Sequence, residues 1–240
     1  MIYVTSDIHG YPFEKFREML EKVNFSADDF LYVLGDVIDR GDDGIKILRW
    51  IMLQPNVQLI LGNHEAMMLG SRFVFDEITE KSVNDLTGSK LDAYSSWVAN
   101  GGQKTIDALK IMRNSELEYI FEYLEEAPLI EAVSVNGRDF ILTHSGLGNF
   151  RKDKKLSEYT PEDLLWTRPD INTEYFDGIT TVFGHTPTVC YGEEYKGKAV
   201  FTDTWVNIDT GAATGLCPML LRLDDMKEFY NKTVELKKSS

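Results

Sequence analysis

Every histidine in the sequence sits in a short polar motif at the end of an apolar run: His9 in SDIHG, His64 in GNHE, His144 in HSG and His185 in GHTP. The stretch Gly35 to Gly41, GDVIDRG, adds Asp36, Asp39 and Arg40 directly behind Phe30 to Leu34. Carboxylates and a guanidinium held together where a strand ends are costly unless metal ions or phosphate groups satisfy them. Asp7, His9, Asp36, Asn63, His144 and His185 together offer six oxygen or nitrogen donors, each where an apolar strand meets a glycine-containing loop. Six donors suffice for two metal ions, because one carboxylate can bridge. A mixed carboxylate and imidazole set suits manganese, iron or zinc better than magnesium or calcium. A structural zinc site would instead favour cysteines in a closed tetrahedron. Any one motif alone is compatible with an ordinary polar loop; the set, with no histidine outside it, points to a metal centre.

These donors need strands that end at one place. Residues two apart in extended backbone face the same way, so a strand over Ile2 to Thr5 can present Asp7 and His9 to one point. Pro12 opens a helix with Phe13, Phe16, Leu20 and Val23 on one face. Phe30 to Leu34 is apolar throughout, as in a strand buried on both faces of a largely parallel sheet. A helix with Ile45, Leu48 and Met52 on one stripe follows and ends near Pro55. Val57 to Leu61 is the third strand and delivers GNHE. Three successive units of strand, polar tip and helix predict an α/β fold.

From about residue 67 to 126 the pattern is helical and irregular, with no histidine and no strong strand, and predicts a helical insertion that chiefly packs and of which part could wall the substrate cleft. Within it the glycine pair 101–102 ends one helix, and Ser115 caps another through Tyr123 with Leu117, Ile120, Phe121 and Leu124 inward. Leu129 to Val135 and Phe140 to Thr143 flank Asn136-Gly137, a tight-hairpin signal. A short helix near Pro161 to Leu165 leads into Trp166-Thr167-Arg168-Pro169, and Thr180 to Phe183 is a strand. Ala199 to Phe201, Val206 to Ile208 and Met219 to Leu223 read as antiparallel strands, so the sheet is mixed. Asp209, in NIDTG, is expected to be structural, and the polar tail from Asn231 to fray.

A chain of 240 residues fits one domain, 1–240, carrying that insertion. The net charge of -14 argues against a nucleic-acid partner. It leaves a phosphorylated substrate open, since metals and a few arginines reverse the field locally. No run approaches the roughly 18 apolar residues of a membrane span, and no signal peptide precedes Ile2 to Thr5. Cys190 and Cys217 lack metal spacing and read as reduced thiols of a cytoplasmic protein.

Taken in order and spacing, SDIHG, GDVIDRG, GNHE, HSG and GHTP resemble the signature of the phosphoprotein phosphatase family of binuclear metallophosphoesterases, over nearly the whole chain. GDVIDRG with GNHE is the specific part. The resemblance implies a calcineurin-like metallophosphoesterase fold, a mixed β-sandwich flanked by helices with metals at the strand ends. It implies that Asp7, His9 and Asp36 hold one ion and Asp36, Asn63, His144 and His185 the other, with a metal-bridging hydroxide as nucleophile. By the same resemblance Arg40 and Arg168 clamp phosphate oxygens, and His64 protonates the leaving group with Asp39 orienting its ring. Without it, Arg40 could pair with Asp39 or Asp42, and Arg168 could end a helix that packs Trp166. Ser6 replaces the glycine usual before the first aspartate.

The expected activity is phosphomonoester hydrolysis, with phosphoserine or phosphothreonine in proteins as the substrate class and small phosphoesters as others. The nearest alternative is symmetrical diadenosine tetraphosphate hydrolysis. In that branch the motif matching GNHE usually ends in Asp and the one matching GHTP carries Trp, so Glu65 and Thr186 favour the phosphatase. A non-catalytic interaction module would be expected to lose ligands or His64, and none is missing.

Overall fold

The computed structural model describes residues 1–77, 79, 84 and 86–231. Two five-stranded sheets face each other. The first has the order β10-β9-β1-β2-β3, from β1 (Ile2–Thr5), β2 (Phe30–Val33), β3 (Val57–Leu59), β9 (Met219–Arg222) and β10 (Lys227–Tyr230). The second has the order β4-β5-β6-β8-β7, from β4 (Ile130–Val135), β5 (Arg138–Thr143), β6 (Ile179–Phe183), β7 (Val200–Phe201) and β8 (Trp205–Asn207). β1, β2 and β3 run parallel, as do β5, β6 and β8, while β9, β10, β4 and β7 pair antiparallel with their neighbours.

The continuous apolar strands follow from burial on both faces. Val4, Leu34, Phe140, Leu142, Val182, Val206 and Leu221 fill the space between the sheets. Their sequence neighbours Tyr3, Leu31 and Val33 point outward, under the helices α1 (Phe13–Lys22), α2 (Gly44–Met52) and α3 (Asn63–Gly70). On the second sheet Ile141, Phe183 and Trp205 point outward against Leu147, Leu164 and Tyr175. The period-two alternation of the pleat is therefore present but hidden in composition, because both faces are covered.

The 67–126 stretch carries α4 (Gly88–Ala99), α5 (Gln103–Lys110) and α6 (Asn114–Glu125), with no strand among the described residues. α6 buries Leu117, Ile120, Phe121 and Leu124 as expected. Its start differs: Ser115 lies inside the helix, and Glu116 reaches back to accept the Arg113 N–H at 3.3 Å. A carboxylate three positions in satisfies that end donor, which a serine one residue earlier does not.

Three further expectations are corrected. β8 pairs in parallel with β6 as well as antiparallel with β7, because residues 184–204 form a crossover long enough for a parallel return. β10, whose first two residues Lys227 and Glu228 are charged, was not foreseen; it closes a hairpin with β9. Asn231 is anchored: it is buried, donates to the Lys15 carbonyl at 3.0 Å and accepts from the Lys22 ammonium. Residues 232–240 of the tail lie outside the described residues. No helix among the described residues is long and apolar enough to cross a membrane.

Candidate active site

The carboxyl ends of β1, β2, β3, β5 and β6 meet at one edge of the sandwich, and each hands over one motif. Asp7 and His9 follow β1; Asp36, Asp39 and Arg40 follow β2; Asn63 and His64 open α3 after β3; His144 follows β5 and His185 follows β6. The backbone there is forced. Asp7, His9, Asp36, Asp39, Arg40 and His185 all take positive φ, between 45° and 68°, a conformation that persists in side-chain-bearing residues only where the surroundings overdetermine it.

Several bonds impose it. His9 N–H donates to the Asp36 carbonyl at 2.8 Å, and Asp7 N–H to the Gly35 carbonyl at 3.2 Å. Glu65, fully buried, accepts the backbone N–H groups of Asp36, Val37, Ile38 and Gly62 at 2.8 to 3.3 Å. Gly35 and Gly62 allow these loops to touch: a Cβ on Gly35 would fall 2.4 Å from the Gly62 Cα. Glu65 therefore stiffens the loop behind Asp36 and faces away from the cleft.

The donors form two groups sharing Asp36. In the first, His9 Nε2 lies 3.5 Å from Asp36 Oδ2 and 3.8 Å from Asp7 Oδ1. In the second, His144 Nε2 lies 3.5 Å from Asp36 Oδ1, and Asn63 Oδ1 is 2.8 Å from His144 Nε2 and 2.9 Å from His185 Nδ1. All six side chains are buried.

The tautomers fit a cation in each group. His9 Nδ1 faces the Ile38 carbonyl at 3.2 Å, and His144 Nδ1 faces the Leu34 carbonyl at 2.7 Å. With those N–H groups engaged, each Nε2 presents a lone pair to a carboxylate or amide oxygen, an arrangement that a bound cation reconciles. His185 adds a buried Nε2 with no hydrogen-bond partner. Burial, then the neighbouring His64 and Arg40, lowers the pKa of His9; burial, His144 and Arg168 push that of His185 down to about 2. Both rings stay neutral, as ligation requires. Burial raises Asp36 well above the usual carboxylate range, and Asp7 and Glu65 add to it.

His64 also lies near Asp36, its Nε2 3.8 Å from Oδ2, so proximity alone would count it with the donors of the first group. Its bonding separates it. Nδ1 sits 2.6 Å from Asp39 Oδ2 and Nε2 sits 3.0 Å from Arg40 Nη2. Burial opposes protonation of this ring, but Asp36 and Asp39 outweigh it and raise the pKa. Asp39, with no exposed surface, takes the Trp97 indole N–H at 2.9 Å on Oδ2 and the Thr105 hydroxyl at 2.6 Å on Oδ1. The Gly101 carbonyl accepts the Arg40 N–H at 3.0 Å, and a Cβ on Gly101 would fall 2.8 Å from the Arg40 Cγ. The 67–126 stretch thus does more than pack: Trp97 of α4 and Thr105 of α5 bond Asp39, and Gly101 in the turn between them bonds Arg40.

Arg168 is exposed, with Nη1 3.2 Å from the His185 carbonyl and 3.5 Å from the Thr186 hydroxyl. Its segment follows α7 (Pro161–Leu165) and hangs on Asp163, whose carbonyl takes the Gly148 N–H and the Thr167 hydroxyl at 2.8 and 2.9 Å. The Asp163 carboxylate is bound by Lys154 at 2.9 Å. Asp209 accepts the Gly211 N–H at 3.0 Å and turns the chain after β8, as a structural residue does. Cys190 and Cys217 are free thiols.

Two facing mixed sheets with an aspartate, histidine and asparagine cluster at their shared edge define a metal-dependent phosphoesterase. The chain belongs to the calcineurin-like phosphoesterase family, whose model matches residues 1–208. Among curated proteins it is 24% identical over 204 residues to a symmetrical bis(5'-nucleosyl)-tetraphosphatase of Buchnera aphidicola, covering 78% of this chain and 63% of that protein. It is also 24% identical over 194 residues to one of Chromobacterium violaceum, covering 78% and 57%. The chain thus spans less than two thirds of these relatives. Among solved structures it superposes on a candidate diadenosine tetraphosphatase with a TM-score of 0.65 at 15% identity, covering 98% of this chain and 94% of that one. On a protein serine/threonine phosphatase of Saccharomyces cerevisiae the TM-score is 0.60 at 14% identity, covering 99% and 81%. At such identities the superpositions show the fold alone.

Proposed function

We propose that this chain hydrolyses the central phosphoanhydride of a dinucleoside tetraphosphate, with diadenosine tetraphosphate as the substrate to test first. The observation that carries hydrolysis at phosphorus is the 2.6 Å His64–Asp39 pair beside two donor groups that share Asp36. The names of the curated relatives support the substrate. The sequence expectation of a protein phosphatase rested on Glu65 and Thr186. Glu65 bonds only backbone behind the ligand loop, so its identity does not read substrate. Thr186, in contact with Arg168, still favours phosphoserine and phosphothreonine as the second reading.

Asp7, His9 and Asp36 would hold one divalent ion, and Asp36, Asn63, His144 and His185 the other; manganese suits this donor set, with iron or zinc as alternatives. When bound, such a pair would lower the pKa of an attacking water and neutralise charge on the phosphoryl oxygens. Arg40, bonded to His64, and Arg168, bonded to the His185 carbonyl, grip those oxygens in forked geometry. His64 Nε2 gives its proton to the departing oxygen, and Asp39 keeps Nδ1 protonated and the ring fixed. Arg40 against Nε2 favours the neutral ring, so a phosphoryl oxygen that draws the guanidinium away also readies His64 to carry a proton.

The test is a parallel assay of the manganese-loaded protein on diadenosine tetraphosphate, a phosphoserine peptide and p-nitrophenyl phosphate. The expected result is the highest kcat/KM on the dinucleotide, with ADP as sole product. A peptide preferred to the dinucleotide would establish the second reading instead.

A further inference from the structure

Beside the donor cluster a cavity of about 340 Å³ opens between the start of α1 and the loop after β8. His9 and Arg40 line its inner end, and Tyr11, Lys15, Ala213 and Leu216 its outer part. Both inner residues flank the proposed acid: the His9 and His64 rings are 4.7 Å apart, and Arg40 Nη2 touches His64 Nε2. A general acid must lie within hydrogen-bond reach of the leaving oxygen, so the leaving group departs on the His64 side, toward this cavity. The Lys15 side chain is half-buried there, and among the described residues its ammonium has no hydrogen-bond or ion-pair partner. Such an ammonium, in a cavity that Arg40 also lines, makes the cavity locally cationic within a chain of net charge -14. The opposite wall is small and apolar, Ala212, Ala213 and Leu216, and admits a flat ring.

We infer that this cavity is the leaving-group subsite for a nucleoside diphosphate, with Lys15 on its phosphates. The inference rests on the dinucleotide reading above. Water adds to one of the two central phosphorus atoms and the P–O bond to the bridging oxygen breaks. The bridging oxygen stays with the departing nucleoside diphosphate and takes a proton from His64, and the other half leaves as a second nucleoside diphosphate. Lys15 offsets charge that accumulates on the departing diphosphate, whereas a serine leaving group carries nothing for it to bind.

The test compares wild type with Lys15→Ala and Lys15→Arg. Lys15→Ala is expected to lose about tenfold more kcat/KM on diadenosine tetraphosphate than on p-nitrophenyl phosphate, and Lys15→Arg to restore most of it. Inhibition of p-nitrophenyl phosphate turnover by ADP should weaken about tenfold in Lys15→Ala, while inhibition by inorganic phosphate is not weakened comparably. Equal losses on both substrates with unchanged ADP inhibition would overturn the subsite. A wild type that leaves diadenosine tetraphosphate intact would overturn the dinucleotide reading. The ADP comparison then decides the subsite by itself: Lys15-dependent inhibition keeps it as a nucleoside diphosphate site, and inhibition indifferent to Lys15 removes it.

Discussion

His64 Nδ1 lies 2.6 Å from Asp39 Oδ2, and both side chains are closed to solvent. The bond fixes the ring tautomer with Nε2 toward the cleft, and it does so on a carboxylate that has two other donors, Trp97 and Thr105. A carboxylate with its lone pairs engaged has little freedom to rotate, so the imidazole inherits its orientation from α4 and α5.

The dependence on His64 should follow the leaving group. A positioned general acid is worth roughly 10² to 10⁴ in rate where the departing oxygen needs its proton. His64→Asn is therefore expected to lose far more activity on a phosphoserine peptide than on p-nitrophenyl phosphate, with metal content retained. Asp39→Asn should show the same order in milder form. Metal analysis and single-turnover rates check this; equal losses on both substrates would remove the acid role, and lost metal would make His64 a ligand.

Trp97→Phe keeps most of the ring volume and removes one donor from Asp39. We expect roughly a tenfold fall in kcat on the phosphoserine peptide, a smaller change in KM and a stability loss of about 1.5–3 kcal/mol, typical of a hydrogen bond to a charged group. Kinetics on both substrates and denaturant titration read the two effects separately. A variant that unfolds earlier but turns over normally would leave Trp97 a packing residue.

Among the described residues Asp36 is the one side chain with oxygens facing both donor groups, Oδ2 toward His9 and Oδ1 toward His144. Asp36→Asn should lower metal occupancy at both positions and abolish turnover. Occupancy is the decisive readout, and a folded variant with full metal content and near-normal turnover would exclude the bridge.

Which parts of this site the sequence revealed follows from how each residue is held. Asp7, Asp36, Asn63, His144 and His185 were legible because each follows an apolar strand, and strand ends in a parallel sheet converge. Trp97 and Thr105 were not, because they meet Asp39 across 58 and 66 residues from helices whose surface pattern resembles any packed helix. Glu65 was noticed for its identity but not its role, since four backbone donors from two loops converge on it only after folding. The crossover that sets β8 parallel to β6 is equally silent in composition. Only the glycine pair at 101–102 carried a signal, and it was read as a helix end although Gly101 also lets the chain pass against Arg40.

Acid should act on the far side of the cleft through Asp163. Its carboxyl is lowered to about 2 from an ordinary 3.8, chiefly by the Lys154 ammonium and then by the Thr160 N–H and Asn149. A depressed folded-state pKa means that the native state binds the proton more weakly than the unfolded chain. The carboxylate therefore contributes its full stability above about pH 4 and loses it as pH falls toward 2. Asp163→Asn keeps the shape but leaves Lys154, itself buried, without its ion partner. The variant should be less stable by about 1.5–3 kcal/mol at neutral pH, the range for hydrogen bonds to charged groups. That difference should shrink as both proteins are titrated from pH 4 to pH 2. Denaturant titrations across that pH range check the linkage, and a stability difference that does not change with pH would show that the pair contributes packing rather than charge.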